Sequence, residues 1–482
     1  MAQLLSMPGK NLRILDAGAG IGVLSAAICE RLVRLRPPRK LDFTLFDTDV
    51  KVHPFLEQTM EHCQLILSQT GHDMRYRIIQ DDFILANLSR ICQDTLFGTA
   101  RETMEFDAVI MNPPYFKLNA QSAQARAFAD VIHGQPNIYA LFMATAAKLL
   151  RPGGELVAIT PRSFCSGPYF REFRRWFLAR MTLRHIHLFD SRTETFREAD
   201  ILQESMITRF DKTTADGEPI RITSSHGADL QGSDRVAKHA ANEIIDDHLG
   251  NLVIRIPVNG VDAKIMKTVD SWPTRFMDLR LGISTGPVVT FRATDYLLAK
   301  ADRTDAVPLI FPHNIRPFET RWPIRKAGKP LAIRACSASK KLLLPTKNYV
   351  LMRRFSAKEE HRRLTASSLI PSKGRWPSML AIENHVNYIY HKDRELTELE
   401  TLGLSALFNS ALLDRYFRTV SGNTQVNATE IRSMPFPPLA VLAKLGAHVK
   451  RIKTTRKAVE QAVLATLGIN GSLACELAEA TA

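Results

Sequence analysis

The sequence predicts an α/β chain: a doubly wound sheet of seven strands, then a mixed, β-rich C-terminal domain, then terminal helices. Three observations carry that prediction. Up to about residue 210, short apolar runs alternate with amphipathic stretches, the rhythm of strands wrapped by helices. The first run ends in a glycine-rich turn that opens a helix. Beyond Pro273 the rhythm breaks into short segments interrupted by Pro and rich in Arg and Lys.

The candidate strands are Arg13 to Leu15, Leu41 to Phe46, Tyr76 to Ile79, Ala108 to Met111, Leu156 to Ile159, Ile186 to Phe189 and Ser205 to Phe210. Helical spacing of apolar residues marks Val23 to Val33, Asn137 to Leu150 and Phe170 to Met181. Arg151-Pro-Gly-Gly154 stops a helix and turns into the fifth strand. From Asp211 to Gly250 the chain turns polar, which reads as an insertion or linker. Val307 to Phe311, Tyr349 to Met352 and Tyr388 to Tyr390 are short segments of the second domain. A helical patch follows at Leu402 to Thr419, and after Pro437-Pro438 a pair of helices spans Leu439 to Leu467. The predicted division is 1–210 for the sheet domain, 211–275 for a linker returning to it, 276–438 for the β-rich domain and 439–482 for the terminal helices.

A chain of 482 residues exceeds one ordinary core. Its formal net charge of +15 favours a polyanionic partner over a neutral metabolite. No segment approaches the roughly 20 apolar residues that cross a bilayer, and the N-terminus lacks the basic-then-apolar layout of a secretory signal. A cytoplasmic chain with no membrane partner is expected. The six cysteines are scattered and form no CxxC pair, and there is no HExxH or His/Cys cluster, so neither a disulfide framework nor a metal is expected.

The first strand ends in Asp16 and Ala17 and runs into Gly18-Ala19-Gly20-Ile21-Gly22, after which Val23 opens a helix. Only glycine lets backbone approach a ligand this closely. The third glycine of a dinucleotide pattern is replaced by Val23, and the acid before the loop would repel a pyrophosphate. Cationic S-adenosyl-L-methionine suits that acid better. Asp47 and Asp82 fall at the ends of strands two and three, where a doubly wound sheet places ligand contacts. Asp47 can accept from both ribose hydroxyls, Asp82 from the adenine amine, and Phe83 offers a ring to the base. Each acid taken alone is more often a helix cap or turn residue; the ordered set of three favours the ligand.

Strand four leads directly into Asn112-Pro113-Pro114-Tyr115. An exocyclic aromatic amine is a poor nucleophile because its lone pair is delocalised into the ring. The side-chain oxygen of Asn112 and the carbonyl of Pro113 can take its two hydrogens, leaving nitrogen density toward a sulfonium carbon. Two prolines hold those acceptors still. Tyr115 would stack on a base swung out of the duplex. The bland alternative is a loop stiffened by Pro-Pro.

In order, Asp16-Ala-Gly-Ala-Gly20, Phe46-Asp47, Asp82-Phe83 and Asn112-Pro-Pro-Tyr115 resemble the motifs of class I S-adenosylmethionine-dependent methyltransferases acting on adenine N6, with their Rossmann-like sheet. Pro114-Tyr-Phe-Lys117, His133 to Phe142, Ile159-Thr-Pro-Arg-Ser-Phe164 and Ser421 to Glu430 are similar to the type II restriction-modification branch of PstI/BsuBI-type and Eco57I-like enzymes. The resemblance implies methylation of a specific double-stranded DNA site, with a cognate restriction endonuclease encoded separately, and makes 276–438 the target-recognition domain. It also makes Phe196 a second aromatic clamping the extruded adenine, against an equal reading as a core residue. Lys117 and Tyr139 are assigned to DNA strand or cofactor, or to the framework. Relatives of this kind carry, upstream of the glycine loop, a helix and a Phe-Thr-Pro type segment that closes the methionine end of the pocket. Here about ten residues precede the first strand, and Met1 to Leu5 resembles the remnant of that helix. The expectation is that the start is internal, or that this copy is truncated and binds cofactor poorly.

The basic surplus is partly concentrated at Arg316, Arg353, Arg354, Lys358, His361, Arg362 and Arg363, among Trp322, Tyr349 and Trp376, which suits phosphate positioning with groove contacts. Asn423, Gln425 and Asn427 are candidates for base edges, since amides pair bidentately with adenine. Arg171, Arg174 and Arg175 read as a solvated helix face. Two rival readings stay open: an RNA or protein-glutamine methyltransferase, disfavoured by the long basic C-terminal half, and a catalytically silent DNA-binding relative. Cytosine C5 chemistry is disfavoured because no Cys follows a proline near strand four. Cytosine N4 is not separated from adenine N6 by the residues themselves.

Overall fold

The structure is a computed structural model. It describes residues 1–35, 37–91, 106–129, 131, 136–189, 205–213, 217–225, 235–247, 251–356, 360–374, 376–422 and 425–479. The chain divides into two compact units, Met1–Val258 and Asn259–Ala482.

The first unit is built on one nine-stranded sheet. Its strands are β1 (Asn11–Ala17), β2 (Lys40–Phe46), β3 (Asp73–Ile79), β4 (Phe106–Met111), β5 (Leu150–Pro161), β6 (Thr182–Phe189), β7 (Ser205–Asp211), β8 (Ile220–Ser225) and β9 (Arg235–His239). They lie in the order β3-β2-β1-β4-β5-β7-β6-β8-β9. The first five are parallel, and β7 runs antiparallel between β5 and β6. All seven expected strands are present. The count of seven is corrected to nine, because β8 and β9 come from the stretch expected as a linker. Only Ile220 and Ile222 are apolar in β8, and its buried remainder is Thr and Ser, so the strand carries little hydrophobic signal.

Alternate residues of the central strands feed opposite faces, as the pleat requires. Ile14, Ala108, Ile110 and Val157 pack with α1 (Val23–Val33) and α2 (His53–Gln69). Leu15, Val109, Met111 and Leu156 pack under α3 (Ile138–Leu149) and α4 (Arg171–Leu178). Helix α2 was not anticipated, although Leu56, Met60, Cys63 and Leu67 form a buried stripe at helical spacing. The expected turn at Arg151 to Gly154 lies inside β5, opposite a register shift between Phe106 and Ala108 of β4. At the N-terminus Leu5 and Met7 are buried, and Arg209 donates to the Leu4 carbonyl at 3.0 Å.

The second unit holds a six-stranded sheet, in the order Leu281–Thr285, Val386–His391, Tyr349–Arg353, Ala366–Leu369, Phe318–Thr320, Ile315–Arg316, and a five-stranded sheet that includes Ala306–Ile310 and Met379–Ile382. Its helices are α5 (Gly260–Asp270), α6 (Glu398–Phe408), α7 (Ala411–Val420), α8 (Ala428–Ser433), α9 (Leu439–Lys450), α10 (Arg456–Leu467) and α11 (Gly471–Glu479). Gly403 of α6 and Gly446 of α9 let two backbones touch: a Cβ on either would stand 1.8 Å from a carbonyl oxygen of the other helix. The expected four-part division becomes two. Residues 211–258 fall in the first unit, 259–275 in the second, and the C-terminal helices belong to the second unit.

Candidate functional site

Parallel pairing aligns the C-terminal ends of β1, β2, β3 and β4 on one edge. Ala17 stands in register with Phe46 and with Met111, and Phe46 with Ile79. The segments that follow, Gly18–Gly22, Asp47–Asp49, Asp81–Phe83 and Asn112–Tyr115, therefore emerge side by side. A Cβ on Gly18 would lie 3.6 Å from the Asn112 carbonyl oxygen, so the glycine bend and the Pro-Pro turn are in contact.

The glycine loop is fixed by its neighbours. Gly18 and Ala19 both donate their N–H to the Phe46 carbonyl, at 3.0 and 2.9 Å, and Gly20 donates to Asp47 Oδ2 at 2.7 Å. Gly18, Gly20 and Gly22 adopt φ of 80°, 55° and 88°, the left-handed region. At Gly22 a Cβ would also meet Leu56 at 2.9 Å, whereas nothing stands within 4 Å of one at Gly20. The loop is thus closed toward α2 and open at Gly20.

Asp16 is fully buried, and Ser25 Oγ donates to its Oδ2 at 2.7 Å. Its Oδ1 has no hydrogen-bond partner. Burial, opposed by the Ser25 bonds and aided by the Asp47 charge, pushes its pKa up to about 7. A carboxyl with an orphaned oxygen behind an open glycine turn fits a cationic ligand, whose charge would restore the ionised form. Asp47 is partly exposed and also accepts the Asp49 N–H at 2.9 Å, leaving lone pairs for a diol. Asp82 caps the next short turn, its Oδ1 accepting the Ile84 and Leu85 N–H groups at 2.9 Å, while Gln124 Nε2 donates to its Oδ2 at 3.1 Å. The cap reading thus applies to one of its oxygens. Phe83 needs correction as an open stacking platform: only 2% exposed, it packs against Phe46 and Phe142 with ring centroids 5.3 and 5.1 Å away.

In the Pro-Pro turn Asn112 and Pro114 are exposed, Pro113 is buried and Tyr115 is half-buried. The Tyr115 hydroxyl lies 2.7 Å from Asn112 Oδ1 and 2.9 Å from the Ile159 carbonyl oxygen, so its one proton is shared between two acceptors. Burial raises its pKa and keeps it neutral. Tyr139, buried beneath, meets the Tyr115 ring edge-on at 6.3 Å and stacks on Phe170 at 5.8 Å, and its hydroxyl pairs with Ser163 Oγ at 2.9 Å. Tyr139 is therefore framework. Lys117 is exposed and pairs through its backbone with Asn137. Phe116, which the sequence reading passed over, is 53% exposed beside Tyr115. Phe196 lies outside the described residues.

Arg174 is corrected from solvated face to buried anchor. It is 1% exposed and donates to the carbonyls of Phe164, Ser166, Gly167, Asn251 and Leu252 at 2.7–3.0 Å. Burial lowers its pKa to about 10. The signal was present in the spacing: position 174 lies four after Phe170 and three before Phe177, on the apolar face of α4.

In the second unit Arg353 donates to the Ile315 carbonyl at 2.8 Å, and Arg354 to the Asn384 carbonyl at 3.2 Å and Gln425 Oε1 at 3.5 Å. Both remain partly exposed. Arg363 is corrected: 3% exposed, it donates to the Ser421 carbonyl at 2.9 Å and lies over the Phe417 ring. Asn427 sits at the N-cap of α8, and Asn423 lies outside the described residues. Among the described residues there is no group of three or more His, Cys, Asp or Glu that could hold a metal ion, and no helix long and apolar enough to cross a membrane.

The model of the Eco57I restriction-modification methylase family matches residues 41–196. Over 451 residues the chain is 33% identical to the type II methyltransferase M.PstI of Providencia stuartii, covering 93% of this chain and 87% of that protein. Over 440 residues it is 34% identical to the type II methyltransferase M.BsuBI of Bacillus subtilis, covering 91% and 85%. Among solved structures, the type IIL restriction-modification enzyme MmeI, in complex with DNA, is similar in fold, with a TM-score of 0.57 at 11% identity over 97% of this chain and 72% of that one.

Proposed function

The chain belongs to the family of the type II methyltransferases M.PstI and M.BsuBI, and from that premise we propose that it methylates the N6 amine of an adenine everted from a specific double-stranded DNA site. The observation that carries the proposal is the close approach of the glycine bend to the Asn112 turn across neighbouring strand ends, where a Cβ on Gly18 would stand 3.6 Å from the Asn112 carbonyl oxygen. S-adenosyl-L-methionine, when bound, supplies an electrophilic methyl on a sulfonium. Gly18 and Gly20 give it room, Asp16 offsets its positive charge, Asp47 accepts from its ribose and the free lone pairs of Asp82 from its base.

Asn112 Oδ1 and the Pro113 carbonyl accept the two amine hydrogens of the target base and turn its lone pair toward the methyl carbon. With the donor bound there, the amine nitrogen would take its methyl, the sulfonium leaving as a neutral thioether, and the proton shed by the alkylated amine would pass to water. Tyr115 has two settings. In the described one its hydroxyl occupies Asn112 Oδ1; with a base in place its ring stacks on that base and the amide oxygen is released. Modification of this kind protects a site from a separately encoded endonuclease, in the cytoplasm where the host DNA lies.

Transfer of labelled methyl from the cofactor to duplex DNA, compared for wild type and Asn112→Ala, tests the proposal. Wild type is expected to label DNA, and the variant to lose about a hundredfold or more in rate with cofactor affinity unchanged. Label entering only RNA or protein, or no acceptor, contradicts it.

A further inference from the structure

Four arginines from distant parts of the sequence border one cavity of about 270 Å3 in the second unit. Arg316 lies in the edge strand Ile315–Arg316, Arg353 ends the strand Tyr349–Arg353, Arg362 follows in the next segment, and Arg456 is the first residue of α10. His361 and Glu360 complete the charged wall. Among the described residues that line it, Glu360 is the single carboxylate.

The nearby acids offset this charge only in part. Asp414 is committed elsewhere: Oδ1 accepts the Arg363 and Leu364 N–H groups at 2.6 and 2.8 Å, and Oδ2 accepts Arg418 Nε at 2.8 Å. Burial pushes Glu460 up to about 7, so it holds its proton for much of the time near neutral pH. His361 adds no charge either. Burial with Arg362 and Arg456 nearby lowers its pKa, and its Nδ1, 3.3 Å from Arg456 Nη1, is placed to accept from and aim that guanidinium. Burial lowers the pKa of Arg353 and Arg362; Glu360 beside Arg353, and Asp414 and Glu460 beside Arg362, oppose that lowering without cancelling it, and neighbouring arginines add to it. Arg362 is 7% exposed, and Arg353 Nε is buried with no hydrogen-bond partner. Like charges gathered around a partly dehydrated wall repel, and an oxyanion relieves that repulsion while taking several charge-assisted hydrogen bonds.

We infer that this cavity seats one backbone phosphate of the bound DNA, with Arg316 and Arg456 gripping it at the rim and Arg353 and Arg362 facing it from the wall. The inference rests on the proposed DNA substrate. Among the described residues no Phe, Tyr or Trp borders the cavity, so these offer no surface for a nucleobase and suit the phosphate alone. Arg316 and Arg456 are exposed, which leaves the seat accessible to a polymer that passes along the surface.

The test is duplex affinity by fluorescence anisotropy over a salt series for wild type, Arg316→Ala, Arg456→Ala and the double variant. Each single change is expected to weaken binding about tenfold and to flatten the log–log salt slope by about one. The thermal midpoint and cofactor affinity stay at wild-type values, because both residues are exposed. Affinity and slope unchanged in the double variant, beside a wild type that binds duplex, overturn the phosphate seat alone. A wild type that binds no duplex overturns the seat together with the reading beneath it. Inorganic phosphate is titrated in parallel. A thermal shift that needs Arg456 while duplex affinity ignores it assigns the cavity to free phosphate and overturns the inference.

Discussion

The acids of the first unit and the arginines of the second are both charged groups set against backbone, yet position settles the first and burial the second. Asp16, Asp47 and Asp82 stand at the ends of parallel strands whose register brings them to one edge, so their place follows from the order of the strands. Arg353, Arg354 and Arg363 lie within a short stretch of sequence, but Arg363 is 3% exposed and spent on a carbonyl and an aromatic ring, while the other two remain partly exposed. Strand-end geometry is periodic and carries over from pattern to space. Burial of a long side chain depends on what other segments cover it.

The largest effect that would break this contrast concerns the buried arginines. Arg363→Ala and Arg174→Ala are each expected to cost about 3 kcal/mol or more of folding stability in denaturant unfolding, because several carbonyls or a packed ring lose their partner. An Arg363→Ala chain of wild-type stability that has lost duplex affinity would return Arg363 to the DNA surface and erase the distinction.

Next comes the turn. Tyr115→Ala is expected to slow methyl transfer about 10- to 100-fold through lost stacking, whereas Tyr115→Phe keeps the ring, frees Asn112 Oδ1 and stays near the wild-type rate. Equal losses in the two variants would show that the hydroxyl rather than the ring serves the reaction.

The smallest effect is a pH dependence in the first unit. Burial raises the folded-state pKa of Asp16 to about 7, from the ordinary aspartate value of 3.8. Its contribution to stability is therefore full below 3.8 and gone once pH rises through about 7. A cation in the glycine crevice favours the carboxylate, so cofactor binding expels a proton. Affinity measured by calorimetry should rise by up to about tenfold per pH unit below 7 and level off above it. Asp16→Asn should abolish that slope; a slope that persists places the titrating group elsewhere.

Much of the candidate site at the strand ends was legible because its proposed chemistry is tied to local signals: an acid before glycines, an acid after each apolar run, Asn before Pro-Pro. β8 was hidden because Thr and Ser bury their methyls and hydroxyls in a strand without an apolar run. Phe83 shows the limit of a motif, since a ring beside a site acid is claimed by Phe46 and Phe142 in the core. Arg316, Arg353 and Arg362 stood out as part of a basic stretch, but their meeting with Arg456 around one cavity has no local signature, because it joins strand edges to the start of a distant helix.

The most direct measurement of the central claim is base-resolved sequencing of modified DNA from a host expressing this chain. N6-methyladenine is expected at one fixed position of one short motif, absent from a host expressing Asn112→Ala. N4-methylcytosine at the motif, or DNA with no added methyl group, would contradict it.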